Sequence, residues 1–221
     1  MRHPWQEGVT AAGGFPEELL VRPVVEVARG LLGCRLVSSV EGERAVGVIV
    51  ETEAYGGSDD PASHAATARG PTPRNRVMFG AAGFAYVYRS YGVHWCMNVV
   101  TGAEGVAQAV LVRGIEPIEG QQTMAARRRG MRPLGAGPGR LAEALGVTDR
   151  LYGHDLRMEP LRLECGWSVP DSQVGITGRV GVNIAADWPH RFFVRGSAGV
   201  SRSETWGSGR RRRGSRMRVE G

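Results

Sequence analysis

From Ala45 to Tyr55 the chain reads Ala-Val-Gly-Val-Ile-Val-Glu-Thr-Glu-Ala-Tyr, an apolar, β-branched run that ends at Gly56-Gly57. A run of this kind bounded by glycines predicts a buried strand entering a loop. Side chains alternate between faces along a strand, so Val46, Val48, Val50, Thr52 and Ala54 share one apolar face. Ile49, Glu51, Glu53 and Tyr55 share the other. Same-face neighbours sit about 7 Å apart, which lines up two carboxylates and a phenol where the strand meets the loop. Charge there is costly unless it is paired or hydrated, and that points to a lined cavity rather than a plain strand end.

The same reading carries along the chain. Pro16-Glu17-Glu18 opens a helical pattern through Leu19, Leu20, Val24, Val25, Val27 and Ala28, before Gly30. Leu31 to Val40 predicts a first strand, and Glu41-Gly42-Glu43 a hairpin turn into the central one. Prolines and glycine make Ser58 to Arg76 a loop. Phe84 to Tyr88 and Val93 to Val99 alternate as two strands joined by Arg89-Ser90-Tyr91-Gly92, which sets Tyr91 near an exposed hairpin apex. Val106 to Arg113 predicts a further strand with a turn at Glu116 to Gly120. Met124 to Arg132 reads as a basic helix, and Leu134-Gly-Ala-Gly-Pro-Gly-Arg140 opens a helix from Leu141 to Leu145. Leu161–Glu164, Ile176–Val182 and Arg191–Val194 are expected late strands. No repeat or second-domain linker interrupts this order. One α+β domain over residues 15–205 is expected, with a flexible arm at 1–14 and a disordered Arg-rich tail at 206–221.

Composition changes the picture in three places. The chain of 221 residues holds 28 basic residues, all of them arginine. With no lysine, no side-chain amine is available for Schiff-base chemistry. The net charge of +6 looks like a nucleic-acid signal, but Arg210 to Arg213, Arg216 and Arg218 supply most of it. The body is close to neutral, so an argument for DNA binding must rest on local patches. The 3 cysteines, Cys34, Cys96 and Cys165, are scattered and outside metal-ligand spacing, which favours a reduced cytoplasmic protein. No secretory or membrane segment shows.

Three features offer chemistry. Arg69, Arg74 and Arg76, with Thr72 and Asn75, make a phosphate-contacting segment, since guanidinium forks match phosphate oxygens. An aromatic ring at the hairpin apex is suited to wedging between base pairs. Phe84, Tyr86 and Tyr88 share a strand face, and His94, Cys96 and Asn98 another; aromatics with an amide suit a planar heterocycle, although such a stripe also suits a core.

In order, these motifs resemble a known family. Glu51-Thr-Glu-Ala-Tyr55, His64, Thr72-Pro-Arg-Asn-Arg76, Met78-Phe79, Tyr86-Val-Tyr88, Tyr91-Gly92, Cys96-Met-Asn98 and Leu111-Val-Arg113 with Glu116-Pro-Ile-Glu-Gly120 resemble the alkyladenine DNA glycosylases. These are the 3-methyladenine DNA glycosylases of the mixed α/β type, and the resemblance runs from about Pro16 to Ser201. It implies a curved, mainly antiparallel sheet with a protruding β-hairpin and surrounding helices. It implies that Glu53 activates a hydrolytic water, supported by Arg113 and the backbone of Val180. Tyr55, His64 and Tyr88 would box the extruded base, and Asn98 would screen the purine 2-position. Tyr91 would fill the gap in the duplex, with Arg69, Thr72, Arg74, Arg76 and Met78 along the DNA backbone. Pro189-His190-Arg191 departs from the pattern, with His where many bacterial members have Trp.

The implied protein is a monofunctional DNA N-glycosylase of base excision repair, acting on alkylated or deaminated purines in double-stranded DNA. It needs no cofactor and no metal. A monomer in the bacterial cytoplasm, associated with the nucleoid, is expected. The chemistry agrees: an alkylated purine is already cationic, so what is needed is extrusion, a stacked pocket and one ionised carboxylate near the sugar. Two other readings stand beside this one. A glycoside hydrolase would use Glu51 and Glu53 as its carboxylate pair, although such pairs usually flank the sugar from different elements. A non-catalytic nucleic-acid-binding module would use the same hairpin wedge.

Overall fold

The structure, a computed structural model, describes residues 3–7, 13–68 and 70–201. In chain order the elements are α1 (Glu17–Leu20), α2 (Val24–Gly30), β1 (Arg35–Ser38), β2 (Ala45–Tyr55), α3 (His64–Thr67), β3 (Ala85–Ser90) and β4 (His94–Thr101). Then come β5 (Gln108–Glu119), α4 (Gln121–Arg127), α5 (Pro138–Leu145), β6 (Leu161–Glu164), β7 (Val174–Thr177) and β8 (Arg191–Val194). The strands form one sheet of order β3-β4-β5-β2-β1-β6, with β8 paired to β2 and β7 to β8. All of these pairings are antiparallel. The expected α+β domain is what the chain forms.

β2 is the hub because it is long enough to serve three partners. Its first half pairs with β1, from Ala45 to Val48, and its last half with β8, from Glu51 to Glu53. On its other edge it runs beside β5, with register shifts around Glu51. The predicted face assignment holds. Thr52 donates its hydroxyl to the Ala28 carbonyl of α2 at 2.7 Å, so the Val/Thr/Ala face looks onto the helix. Glu51 and Glu53 both meet Arg113 of β5 on the opposite face. Val48, Val50, Val112, Leu141 and Leu145 are all fully buried in the main apolar cluster beneath the helices. Burial of this kind contributes roughly 25 cal/mol per Å² of apolar surface.

Several expected boundaries differ. The helical pattern from Pro16 splits into α1 and α2, because Pro23 cannot donate and pushes Arg22 off helical geometry. The turn expected at Glu116 to Gly120 is strand instead: β5 continues to Glu119, since β2 offers partners from Val46 to Ile49. Gly120, at φ 69°, then turns the chain into α4. The strand expected at Ile176 to Val182 stops at Thr177, and the segment beyond runs irregularly to β8. The ladder runs out there, because Thr177 pairs with Arg191, the first residue of β8. Within the arm expected at 1–14, Pro4–Gln6 forms a 3-10 turn, and Trp5 is buried with its indole N–H donated to Glu116 at 3.1 Å. The Arg-rich tail lies outside the described residues. Among the described residues no helix is long and apolar enough to cross a membrane.

Candidate active site

Where β2 meets β5 and β8, the buried carboxylates take different partners. Glu51 Oε1 accepts from Arg113 Nε at 3.0 Å, Arg191 Nε at 2.7 Å and the Ser201 hydroxyl at 2.8 Å, and Oε2 accepts from the Ser201 amide at 2.7 Å. Gly114 permits this approach, because a Cβ there would stand 2.3 Å from the Gly199 carbonyl and 3.1 Å from Glu51 Cβ. Burial works to raise the Glu51 carboxyl, but Arg113 and Arg191 outweigh it and hold it below the ordinary range. Glu51 is thus an ionised, fully engaged anchor.

Glu53 is equally buried and less engaged. Its Oε2 accepts from the Tyr55 hydroxyl at 2.9 Å, its Oε1 accepts from the Val180 amide at 2.7 Å, and Arg113 Nε stands 3.3 Å from Oε1. Burial dominates and raises the Glu53 carboxyl, Arg113 opposes it, and nearby Glu51 adds to the rise. A carboxylate held up in this way is a better proton acceptor than one clamped by two guanidinium groups.

Tyr55, Val180 and Arg113 separate Glu53 from a cavity of about 520 Å³, which their side chains or backbone line. His64, Tyr86, Tyr88, Asn98, Arg74, Met78 and Tyr91 also stand in its wall. The His64 ring meets Tyr88 edge-on at 4.7 Å, and His64 Nδ1 lies 2.7 Å from the Tyr86 hydroxyl. Burial, then Arg74, lower the His64 pKa, so its ring is neutral at neutral pH. Asn98 is fixed by its amide, which donates to the Tyr86 carbonyl at 3.0 Å. The cavity is therefore aromatic on one side and backed by an acid–guanidinium cluster on the other. Such a chamber has the aromatic faces that suit a flat ring.

At the rim, Tyr91 is 93% exposed. It sits at φ 49°, followed by Gly92 at φ 68°, with the Val93 amide closing on the Ser90 carbonyl. Two successive positive φ angles make this a type I′ hairpin turn, where Asn or Gly is the ordinary occupant. A bulky aromatic is held there against its backbone preference and without burial.

The predicted residues thus divide. Tyr55, His64, Tyr88, Asn98, Arg113 and Val180 converge on the one cavity, with Glu53 directly behind it and Tyr91 at its mouth. Arg74 lines the cavity and lies over the Tyr88 ring at 5.4 Å, while Arg76 is exposed. Thr72 and Asn75 bind each other, and Asn75, which is buried, also donates to the carbonyls of His64 and Gly70. Asn75 thereby braces the loop and turns away from the surface. The Met78 side chain is buried and lines the cavity, which leaves only its backbone for the outside. Arg69 lies outside the described residues.

Sequence reasoning assigned no individual role to Asp60, Arg179, Arg191 or Ser201; it grouped Tyr86 with Phe84 and Tyr88 as a face suited to a planar heterocycle. For Tyr86 the signal was present, in its i,i+2 spacing to Tyr88. The others act through partners 119 to 150 positions away, which no local pattern encodes.

A family model described as Methylpurine-DNA glycosylase (MPG) matches residues 18–198. A protein of Methanoculleus marisnigri, named "Putative 3-methyladenine DNA glycosylase", is 50% identical over 193 residues, covering 85% of this chain and 98% of its own length. Proteins of the same name from Carboxydothermus hydrogenoformans and Myxococcus xanthus are 44% and 48% identical, covering 85% of this chain and 98% and 93% of their own lengths. With its sheet, its aromatic cavity and these relatives, the chain belongs to the methylpurine-DNA glycosylase family and is a DNA glycosylase.

Proposed function

We propose that the protein extrudes damaged purines, 3-methyladenine among them, from duplex DNA and hydrolyses the N-glycosidic bond with a water activated by Glu53, leaving an abasic site. The observation that carries this reading is the unequal treatment of the two acids. Glu51 spends both oxygens on two arginines and Ser201, whereas Glu53 stands behind the aromatic cavity with a raised carboxyl. The paired-carboxylate glycosidase reading loses its second acid in that arrangement.

In this scheme the flipped base enters between Tyr55, His64 and Tyr88, its unstacking cost offset by ring contacts. Tyr91 occupies the space left in the duplex. Water entering between Arg113 and the Val180 segment gives its proton to Glu53 as its oxygen bonds to the sugar C1′. The electron pair of the glycosidic bond leaves with the base, which its positive charge makes a good leaving group. The base and the abasic DNA are then released. Arg74 and Arg76 lie on the loop suited to phosphates.

Glu53→Gln tests the scheme. It should reduce release of methylated purines from methylated duplex by about 10² to 10⁴-fold, the range of general-base contributions, while leaving lesion binding in place. Glu51→Gln measured per folded molecule should lose far less. Equal losses in both variants would overturn the assignment of Glu53 as the single base.

A further inference from the structure

The pocket's walls are joined behind the rings by an ion pair that the scheme above does not use. Arg179 is buried, and its Nη2 donates to Asp60 Oδ1 at 2.9 Å while its Nη1 donates to Asp60 Oδ2. The same Nη1 donates to the Ala54 carbonyl at 3.1 Å, between Glu53 and Tyr55 on β2. The guanidinium carbon also lies 4.8 Å from the centre of the Tyr55 ring. Asp60 in turn accepts from the amides of Gly56 at 2.9 Å and Ala62 at 3.1 Å, which shapes the loop leading to His64. The residue after Arg179 is Val180, whose amide holds Glu53.

Each contact alone is ordinary packing. Together they join three separate stretches of chain: the end of β2, the loop before α3 and the irregular segment before β8. A bidentate arginine–carboxylate pair fixes relative orientation as well as distance. From this geometry we infer that Asp60 and Arg179 are positioning residues, which hold the Tyr55 hydroxyl and the Val180 amide on the two oxygens of Glu53. The inference rests on Glu53 being the base. The pair touches neither water nor DNA in this role; it orients the carboxylate through its two donors.

A positioning role has a signature that simple structural support lacks. The groups whose charge or ionisation bears on Glu53 are Glu51 and Tyr55 of β2, Tyr88 of β3, Cys96 of β4 and Arg113 of β5. Of the donors to its carboxylate, the Tyr55 hydroxyl and Val180 amide depend on the ion pair, whereas Arg113 does not. Both favour the ionised form, so loosening them moves proton uptake by Glu53 to higher pH.

The test compares Arg179→Lys and Asp60→Asn with the unaltered chain, using single-turnover release of methylated purines from methylated duplex across pH. Rates are taken per folded molecule, from circular dichroism at the assay temperature. Arg179→Lys keeps the charge but loses the fork and the stacking, and Asp60→Asn keeps the shape with a single acceptor oxygen, enough for Gly56 or Ala62 but not both. The expected result in both is a fall in rate of about 10- to 100-fold, as for a slightly displaced reacting group, and a rise in the pH of the acidic limb. Affinity for the methylated duplex should change by less than about threefold. An unchanged limb in folded protein, or a loss that disappears once the folded fraction is counted, would overturn the inference. Glu53→Gln is run beside them: if it still releases bases, the base assignment itself has failed, whatever the ion pair does.

Discussion

The amide of Ser201 donates to Glu51 Oε2 at 2.7 Å, and the same residue's hydroxyl donates to Oε1 at 2.8 Å. The chain thus returns after 150 positions to saturate an acid that the strand pattern leaves indistinguishable from its neighbour. This contact gives Glu51 two donors that Glu53 does not share.

Opposite stability effects should follow for the two acids. Glu51→Gln leaves Arg113 and Arg191 with an uncompensated buried charge, and breaking such a pair costs about 3–5 kcal/mol. The folded-state pKa of Glu51 lies below its ordinary 4.5, so its contribution is present above that value and is lost as pH falls through the depressed one. Glu53 is raised, so above its folded pKa its ionised form costs stability that a neutral amide does not. Glu53→Gln should therefore unfold at or above the temperature of the unaltered protein at pH 7, and Glu51→Gln well below it. Thermal unfolding of both variants measures this directly.

The pH profile should carry the mark of Glu53. As a base it must be ionised, and burial raises its carboxyl. Activity should fall as pH drops through a value above the ordinary 4.5. His64, whose pKa burial and Arg74 hold below 6.5, adds a cation to the cavity only below that pH, where it would repel an alkylated base. Single-turnover release across pH reads the midpoint. A limb at or below the ordinary carboxylate value would contradict the role given to Glu53.

Tyr91 should prove dispensable for folding and needed for extrusion. Its left-handed backbone costs a non-glycine residue roughly 1–2 kcal/mol, so Tyr91→Gly should hold or raise the unfolding temperature. Losing the wedge should destabilise the flipped state by a few kcal/mol at most. Cleavage of hypoxanthine should suffer more in a paired duplex than opposite a mismatch, where extrusion is already cheap. A defect of the same size on both duplexes would mean that Tyr91 does not act as a wedge.

Asn98 should govern which purines are admitted. Its side chain lines the cavity and is pinned by the bond to the Tyr86 carbonyl, so it cannot swing away from a 2-amino group. Asn98→Ala should raise release of guanine relative to hypoxanthine by about tenfold or more, the scale of steric discrimination in a pocket. Competition assays with the two bases in matched duplexes give the ratio, and an unchanged ratio would assign the selectivity to another residue.

Periodicity alone determined a great deal. The run from Ala45 to Tyr55, the hairpin with Tyr91 at its tip and the helix ending at Leu145 are local patterns that the structure forms, although the helix starts at Pro138, a turn before the expected Leu141. The alternation of side chains put Glu51, Glu53 and Tyr55 on one face before any fold was known. Tertiary structure decided the rest, because it depends on which strands lie beside β2. Pairing with β5 carried the chain straight through Pro117, and the start of β8 at Arg191 ended β7 at Thr177, ahead of the irregular segment that holds Val180. The different surroundings of Glu51 and Glu53 arise in the same way. Two identical side chains on one strand differ only through Arg191, Ser201, Val180 and Tyr55, and three of those four reach them across more than 120 positions. Local sequence sets propensity and face, whereas the protonation state of a buried acid is set by whatever charge the completed fold brings within a few ångströms.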